Sequence, residues 1–221
     1  MIEATPTGNN NRAEELYELY LEKYPDGKGK SAADYFFLPE EKKLQQSIDK
    51  ILKDIDRLPR GVEASETQYM QLMFSYAQLV KITPEDPFAP LYCLKGARLA
   101  IRLEEHLIAA QFLEKIYHDY PDFDQYSDAL LLLAVEYDTN LTLYIHKGNI
   151  TTSDLTDHIN RQNLEEIDPI ARGKALYEEI QLRFPKTDVA ESARYGLKNL
   201  GKKTSEVVEE FVRMQDSIQI D

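Results

Sequence analysis

The sequence has one cysteine and no tryptophan among its 221 residues. A single cysteine excludes a disulfide bond within the chain, so no internal cross-link supports the fold. Cys93 lies in an apolar run, residues 91–94, which favours a small buried side chain. A nucleophilic thiol needs a base or an electropositive setting, and no neighbour in the sequence supplies one. The sequence therefore predicts a structural role for Cys93.

Long apolar stretches and clusters of positive charge are also missing. The best apolar run, residues 129–135, is bounded by Asp128 and Glu136 and is too short to span a membrane. Lys and Arg total 26 against 39 Asp and Glu, a net charge of −13, and the densest basic runs are only pairs. Nucleic-acid binding depends on clustered cations that neutralise phosphates. The composition therefore predicts neither a membrane span nor a nucleic-acid partner.

The two ends of the chain are polar. Residues 1–10 contain Pro6, Gly8 and the start of an asparagine run, and they predict a flexible N-terminal segment. They have neither the basic start nor the apolar centre of a signal peptide, so either the protein is cytosolic or a targeting segment has been removed. Residues 217–221 are predicted to form a C-terminal tail.

Helical periodicity dominates the rest of the sequence. Ser65 stands three residues before Gln68, the spacing of a capping box, and Asp86-Pro87 and Asp168-Pro169 each place a capping carboxylate before a proline. Alternating strand patterns are absent apart from a loop-like stretch at 148–152. The sequence predicts an all-α protein with helices near 11–24, 33–58, 66–82, 88–103, 106–120, 124–147, 170–184, 188–200 and 203–216.

Four prolines share a common set of neighbours: Pro25, Pro84, Pro121 and Pro185. Large apolar or aromatic residues lie five and eight positions before each proline, and three copies carry alanine eight positions after it, at Ala33, Ala129 and Ala193. A proline stops the second helix of a hairpin, and a small residue lets the next helix approach closely. Pro84 and Pro121 are 37 residues apart, close to one helix-turn-helix repeat of about 34 residues. The longer intervals require longer helices or insertions.

At these positions the sequence resembles the tetratricopeptide repeat (TPR) family. Ala97, Ala109 and Pro121 occupy the two small positions and the closing proline of the family pattern. The stretch 175–185, which includes Tyr177, is similar to bacterial envelope members of the family, such as the lipoprotein of the β-barrel assembly machinery. Cys93 stands where the family often has tryptophan, and isoleucines at 116 and 180 replace the usual alanine. The resemblance implies a right-handed superhelical stack of antiparallel helix hairpins, an α-solenoid, forming a single array over residues 11–216.

Residues 138–168 interrupt this pattern and predict an irregular insertion, with a loop near 147–153 and a short helix before Asp168. The insertion is either a projecting segment that carries specificity or a longer hairpin that covers its neighbours. Tyr144 and His146 within it are candidate partner-binding residues. Tyr35, Phe36 and Phe37 are also candidates, because they lie outside the repeat and form either a junction core or an exposed aromatic anchor. The helix at 203–216 has an apolar face that either caps the array or docks onto another chain.

No residues have the spacing of a catalytic or metal site. The four histidines are too far apart in the sequence for a helical zinc motif and are interpreted as surface or edge residues. Adjacent acids such as Glu178 and Glu179 point about 100° apart on a helix and are interpreted as solvated faces. Phosphate-binding loops and nucleophile elbows are absent from the sequence. The sequence therefore predicts a protein that is not an enzyme and that takes no cofactor and no metal.

The leading hypothesis is a noncatalytic protein-protein interaction or scaffolding module, whose TPR-like groove receives a protein or peptide partner. The acidic net charge favours a partner with a basic or neutral surface. The alternative is an accessory domain that binds a small molecule or glycan at residues 138–168. The resemblance implies a bacterial periplasmic or outer-membrane location, with the cytoplasm as the alternative.

Overall fold

The computed structural model describes residues 38–148 and 167–202, together with Leu19, Glu22, Lys23 and Glu206. The chain divides into two compact units, residues 1–57 and residues 58–221. All regular structure in the described residues is helical, which confirms the all-α prediction for them. The predictions for residues 1–10, for Pro25, Ala33, Tyr35, Phe36 and Phe37, for 149–166 and for the tail at 217–221 lie outside the described residues, as does nearly all of the helix predicted at 203–216.

One helix of the first unit is described, α1 at Glu40–Asp56, with the acids Glu40 and Glu41 in its first turn. The helices of the second unit are α2 at Glu66–Ile82, α3 at Ala89–Arg102, α4 at His106–Asp119, α5 at Tyr126–Val135, the π-helical segment π1 at Glu136–Leu141, α6 at Thr142–His146, α7 at Pro169–Arg183 and α8 at Asp188–Asn199. The run α5, π1 and α6 is continuous and coincides with the helix predicted at 124–147, but its π-helical part was not predicted.

Two of the predicted helix starts have the expected caps. Ser65 Oγ accepts a hydrogen bond from Gln68 N at 3.3 Å, while Gln68 Oε1 accepts one from Ser65 N at 2.9 Å. Asp168 Oδ1 accepts from the amides of Ile170 and Ala171 at 3.0 and 3.1 Å. Each cap stabilises its helix by about 1 kcal/mol.

The prediction for Asp86-Pro87 was wrong in register. Helix α3 begins at Ala89, with Pro90 rather than Pro87 in its first turn. The Asp86 carboxylate accepts a hydrogen bond from Phe88 N at 2.8 Å, so the Asp-Pro pair shapes the preceding turn. The physical reason is that Ala89 N donates to Asp86 O, which closes a tight turn before the helix starts.

The turns at Pro84, Pro121 and Pro185 have the same backbone geometry. Each preceding helix ends two residues before its proline, and the capping residue between them has φ of −130°, −132° and −127° in turn. Two backbone hydrogen bonds recur in every turn. The first joins Asp86 N to Thr83 O, Phe123 N to Tyr120 O and Thr187 N to Phe184 O, each at 3.2 Å. The second joins Ala89 N to Asp86 O at 2.8 Å, Tyr126 N to Phe123 O at 2.8 Å and Ala190 N to Thr187 O at 3.0 Å. These three sequence copies are therefore also structural copies.

The repeated positions form the core of the second unit. The residues five before the prolines, Leu79, Ile116 and Ile180, are each 0% exposed, and those eight before them are at most 2% exposed. The small residues of the pattern are buried as well: Ala97, Ala109, Ala129 and Ala193. Consecutive helices pack in the order α2, α3, α4, α5, α7 and α8, and α5 also contacts α8.

Cys93 is a buried core residue, as the sequence predicted. Its burial raises the pKa of the thiol to about 12, so the side chain is an uncharged thiol at neutral pH. Nearby, a Cβ atom on Gly96 would lie 2.6 Å from the Phe112 ring, which shows how closely α3 and α4 cross.

Candidate binding site around the π-helical segment

The segment π1 widens the long helical run at its centre. Its sequence includes Asp138, Thr139 and Asn140, whose side chains compete with the helical backbone for hydrogen bonds. Thr142 Oγ donates a hydrogen bond to the carbonyl oxygen of Tyr137, five residues earlier, at 2.8 Å. Such π-helical turns are rare and occur frequently at functional sites. Three consecutive side chains of π1 connect this run to the surrounding helices.

The first of them, Glu136, is 2% exposed and lies against α4. Its Oε2 atom is 2.8 Å from Nδ1 of His106, and its Oε1 atom accepts from the Asn140 amide at 2.8 Å. Burial raises the pKa of the Glu136 carboxyl, and the charge and hydrogen bond of His106 oppose that rise. The His106 side chain is only 11% exposed, so this histidine is an internal partner of Glu136, which the sequence interpretation did not foresee.

The second, Tyr137, is 0% exposed and donates from its hydroxyl to Glu114 Oε1 at 2.7 Å. The same carboxylate accepts two-pronged hydrogen bonds from Arg172 of α7, with Nε to Oε1 at 3.2 Å and Nη2 to Oε2 at 3.0 Å. The Arg172 guanidinium also lies 4.7 Å from the centre of the Tyr117 ring. Burial raises the pKa of the Tyr137 hydroxyl, and the Glu114 charge adds to the rise. An ion pair with a buried carboxylate and a partly exposed guanidinium therefore connects α4 to α7, and Tyr137 of π1 bonds to the same carboxylate.

The third, Asp138, reaches the end of α8. Its Oδ1 atom accepts a hydrogen bond from Gly201 N at 3.0 Å, where Gly201 has a positive φ of 71°. It also accepts from the buried hydroxyl of Tyr177 in α7. Burial raises the pKa of the Asp138 carboxyl, while these two hydrogen bonds oppose the rise. One short segment thus contacts α4, α7 and the residues that follow α8.

Two helical glycines allow this close packing. A Cβ atom on Gly173 would lie 3.1 Å from Ala134 O and 3.1 Å from Asp138 N, so α7 crosses the long run at backbone distance. A Cβ atom on Gly196 would lie 2.4 Å from the Tyr177 ring. Helical glycine costs about 1 kcal/mol relative to alanine, and here the cost is offset by close approach.

Beside Asp138 lies a groove of about 580 Å³, which we call the π1–α8 groove. Its lining residues come from α5, π1, α7, α8 and the segment after α8: Leu131, Val135, Asp138, Thr139, Tyr177, Glu191, Ser192, Tyr195, Gly196, Asn199 and Lys202. Two large apolar side chains are exposed in it, Val135 at 38% and Tyr195 at 56%. The groove therefore combines apolar walls with polar groups at its edges, a combination typical of ligand and peptide sites.

The two described candidates for partner binding lie outside this groove. The half-buried Tyr144 donates from its hydroxyl to Glu104 O at 2.9 Å and packs edge-on against the His106 ring. Glu104 has a φ of 60°, so this bond supports the tight turn between α3 and α4. His146 is exposed and lines a separate cavity of about 350 Å³ at the end of α6, beside Asp168 and Pro169. Partner binding by these two residues stays a prediction.

A third cavity, of about 630 Å³, lies between the turns at Pro84 and Pro121. Five carboxylates line it: Glu85, Asp86, Asp119, Asp122 and Asp124. Tyr120 donates across it to Pro84 O at 2.9 Å. Within the described part of the chain, no group of three or more histidine, cysteine, aspartate or glutamate residues is placed to hold a metal ion.

Sequence reasoning missed Glu114, Glu136, Arg172 and the groove itself. One signal was present, because Glu136 follows seven consecutive apolar residues inside a helix, where an acid must find a partner. Gly173 and Gly196 were a second signal, since glycines within helices usually have a packing reason. The positions of these residues in the sequence did not indicate that they form one site.

Comparison with known proteins gives no match, whether with family models, with curated proteins or with solved structures. The helices in the described residues are all too short or too polar to cross a bilayer.

Proposed function

We propose that this chain is a noncatalytic protein-binding module, built as a right-handed superhelical stack of TPR-like hairpins. The recurring turn at Pro84, Pro121 and Pro185 supports this architecture, because solenoid repeats are copies of one supersecondary unit. The contact between α5 and α8 supports it too, since these helices both follow a proline turn and so hold equivalent places in successive hairpins.

The observation that carries the binding function is the π1–α8 groove. Tyr195 and Val135 expose apolar surface there, whereas the other large apolar residues of the same two helices are buried or half-buried. The elements around them are held together, because Asp138 joins π1 to Gly201 and Tyr177 lies beneath Gly196. A partner segment that places one large apolar side chain between Val135 and Tyr195 would find polar groups at Thr139 and Asn199 for its backbone. Small-molecule or glycan binding at residues 138–168 stays a prediction.

Site-specific photo-crosslinking tests this function. A benzoylphenylalanine at position 195, in extract from cells that naturally produce the protein, should give a discrete crosslinked product. The matched control carries the same group in place of Leu182, which is 82% exposed and lies outside the groove. Adding Val135→Arg to the first protein should abolish its product, because a charge would enter the apolar wall. Identical products from both positions, or a product that Val135→Arg leaves unchanged, would refute the assignment.

A further inference from the structure

Helix α3 carries three cations on the face that points away from the core. Lys95, Arg98 and Arg102 are spaced i, i+3 and i+7, which places them within about 60° of one another around the helix. All three are exposed. The opposite face is buried and holds Cys93, Leu94, Gly96, Ala97 and Ala100. We call the three cations the α3 basic stripe.

The stripe contrasts with its surroundings. The chain has a net charge of −13, yet α3 contains no aspartate or glutamate. On α4 and α7, lysine and arginine pair with acids one turn along, as in Lys115 with Asp119 and Lys174 with Glu178. In α3 the positions four residues from Lys95 are Leu91 and Leu99, so no such pair forms.

One end of the stripe is held in place. The Arg102 guanidinium lies 2.7 Å from Glu63 Oε2 and 4.6 Å from the centre of the Tyr69 ring. Arg102 also lies in the last turn, where a cation interacts favourably with the helix dipole. Neither an ion pair nor the helix dipole accounts for Lys95 and Arg98, which lie in the middle of the helix and form no ion pair with any other described residue. No described acidic side chain therefore neutralises these two charges.

We propose that the α3 basic stripe is a docking surface for an acidic segment of a partner protein. The stripe is about 10 Å long, from the axial rise of about 1.5 Å per residue. Alternate residues of an extended chain repeat at about 6.6 Å, so two carboxylates on one side of such a segment span most of the stripe. Arginine binds carboxylates in a two-pronged geometry, so Arg98 should contribute most to binding. The acidic net charge pointed to a basic or neutral partner, whereas this local surface fits an acidic one.

Binding of a model acidic peptide tests the proposal. The probe is a fluorescein-labelled peptide of about twelve residues, extended and alternating in Glu and Ala, with a Gln and Ala peptide as its neutral counterpart. Fluorescence anisotropy with the full chain should show tighter binding of the Glu peptide and weaker binding at higher salt. The double variant Lys95→Glu with Arg98→Glu should weaken binding about tenfold, because two attractions become repulsions.

The matched control reverses the charge at two other exposed positions, Lys81→Glu with Lys186→Glu, and so changes the net charge as much as the first double variant does. It should shift the affinity less than about twofold, since long-range charge effects are screened within about 10 Å. Equal losses in the two double variants, or equal binding of the Gln peptide, would overturn the proposal. Stronger competition by a single-stranded oligonucleotide than by unlabelled Glu peptide would also overturn it, in favour of a nucleic-acid ligand.

The same assay distinguishes binding in the π1–α8 groove from binding at the α3 basic stripe. Val135→Arg, which tests the π1–α8 groove, should leave affinity for the Glu peptide unchanged. If Val135→Arg changes the affinity for the Glu peptide in either direction, the peptide contacts the groove and the assignment to α3 is wrong.

Discussion

The proline turns and the π-helical segment use their residues in opposite ways. At Pro84, Pro121 and Pro185 the same backbone hydrogen bonds recur, although the capping residue is threonine, tyrosine and phenylalanine in turn. In π1, three adjacent side chains each form a different bond. Backbone geometry tolerates changes of side chain, whereas a buried charge requires side chains that can pair with it. The repeated part therefore supplies the frame, and the unrepeated part supplies individual connections.

The largest expected effect tests whether the repeated part is a true repeat. Leu79→Ala, Ile116→Ala and Ile180→Ala should each lower the free energy of unfolding by about 4 kcal/mol, because each removes a fully buried side chain at the same position of the pattern. Urea unfolding of the three variants provides the measurement. The exposed Leu182→Ala should change stability by less than about 0.5 kcal/mol. A decrease of less than about 1 kcal/mol in the free energy of unfolding at any one of the three sites would show that the turns are not equivalent.

A smaller loss is expected from the charge pair at π1. Arg172→Met should cost about 2 kcal/mol, because the buried Glu114 would lose its two-pronged partner and keep only the contacts with Tyr137 and His118. Lys174→Met on the same helix should cost less than about 0.5 kcal/mol, since its pair with Glu178 is exposed. Adding Glu114→Gln to Arg172→Met should regain part of the loss by removing the buried charge. If both single variants are equally stable in urea, the buried pair does not connect α4 to α7.

The contrast between the two parts also explains what the sequence could predict. Helix bounds, the Ser65 and Asp168 caps and the proline turns follow from local signals, because each depends on residues a few positions apart. The bond between Glu114 and Arg172 joins residues 58 positions apart, and that between Asp138 and Gly201 joins residues 63 apart. Hydrophobic periodicity marks a polar residue on a helix but does not identify its partner.

The same limit applies to the groove. Its walls come from α5 and π1 on one side and α8 on the other, and the whole of α7 separates these elements in the sequence. Tyr195 resembles any other aromatic residue of the repeat in the sequence, and its exposure is a property of the packed helices. The π-helical turn had no local signal strong enough to distinguish it from the regular helix predicted at 124–147.

Adjacent side chains of π1 make separate connections to different helices. Amide hydrogen exchange, followed by NMR, tests this separation with Asp138→Ala and Tyr137→Phe. Asp138→Ala should accelerate exchange at Gly201, whose amide is bonded to Asp138, and leave α4 unchanged. Tyr137→Phe should accelerate exchange in α4 near Glu114 and leave Gly201 protected. The same exchange pattern in both variants would contradict separate connections and show that π1 acts as one undivided contact.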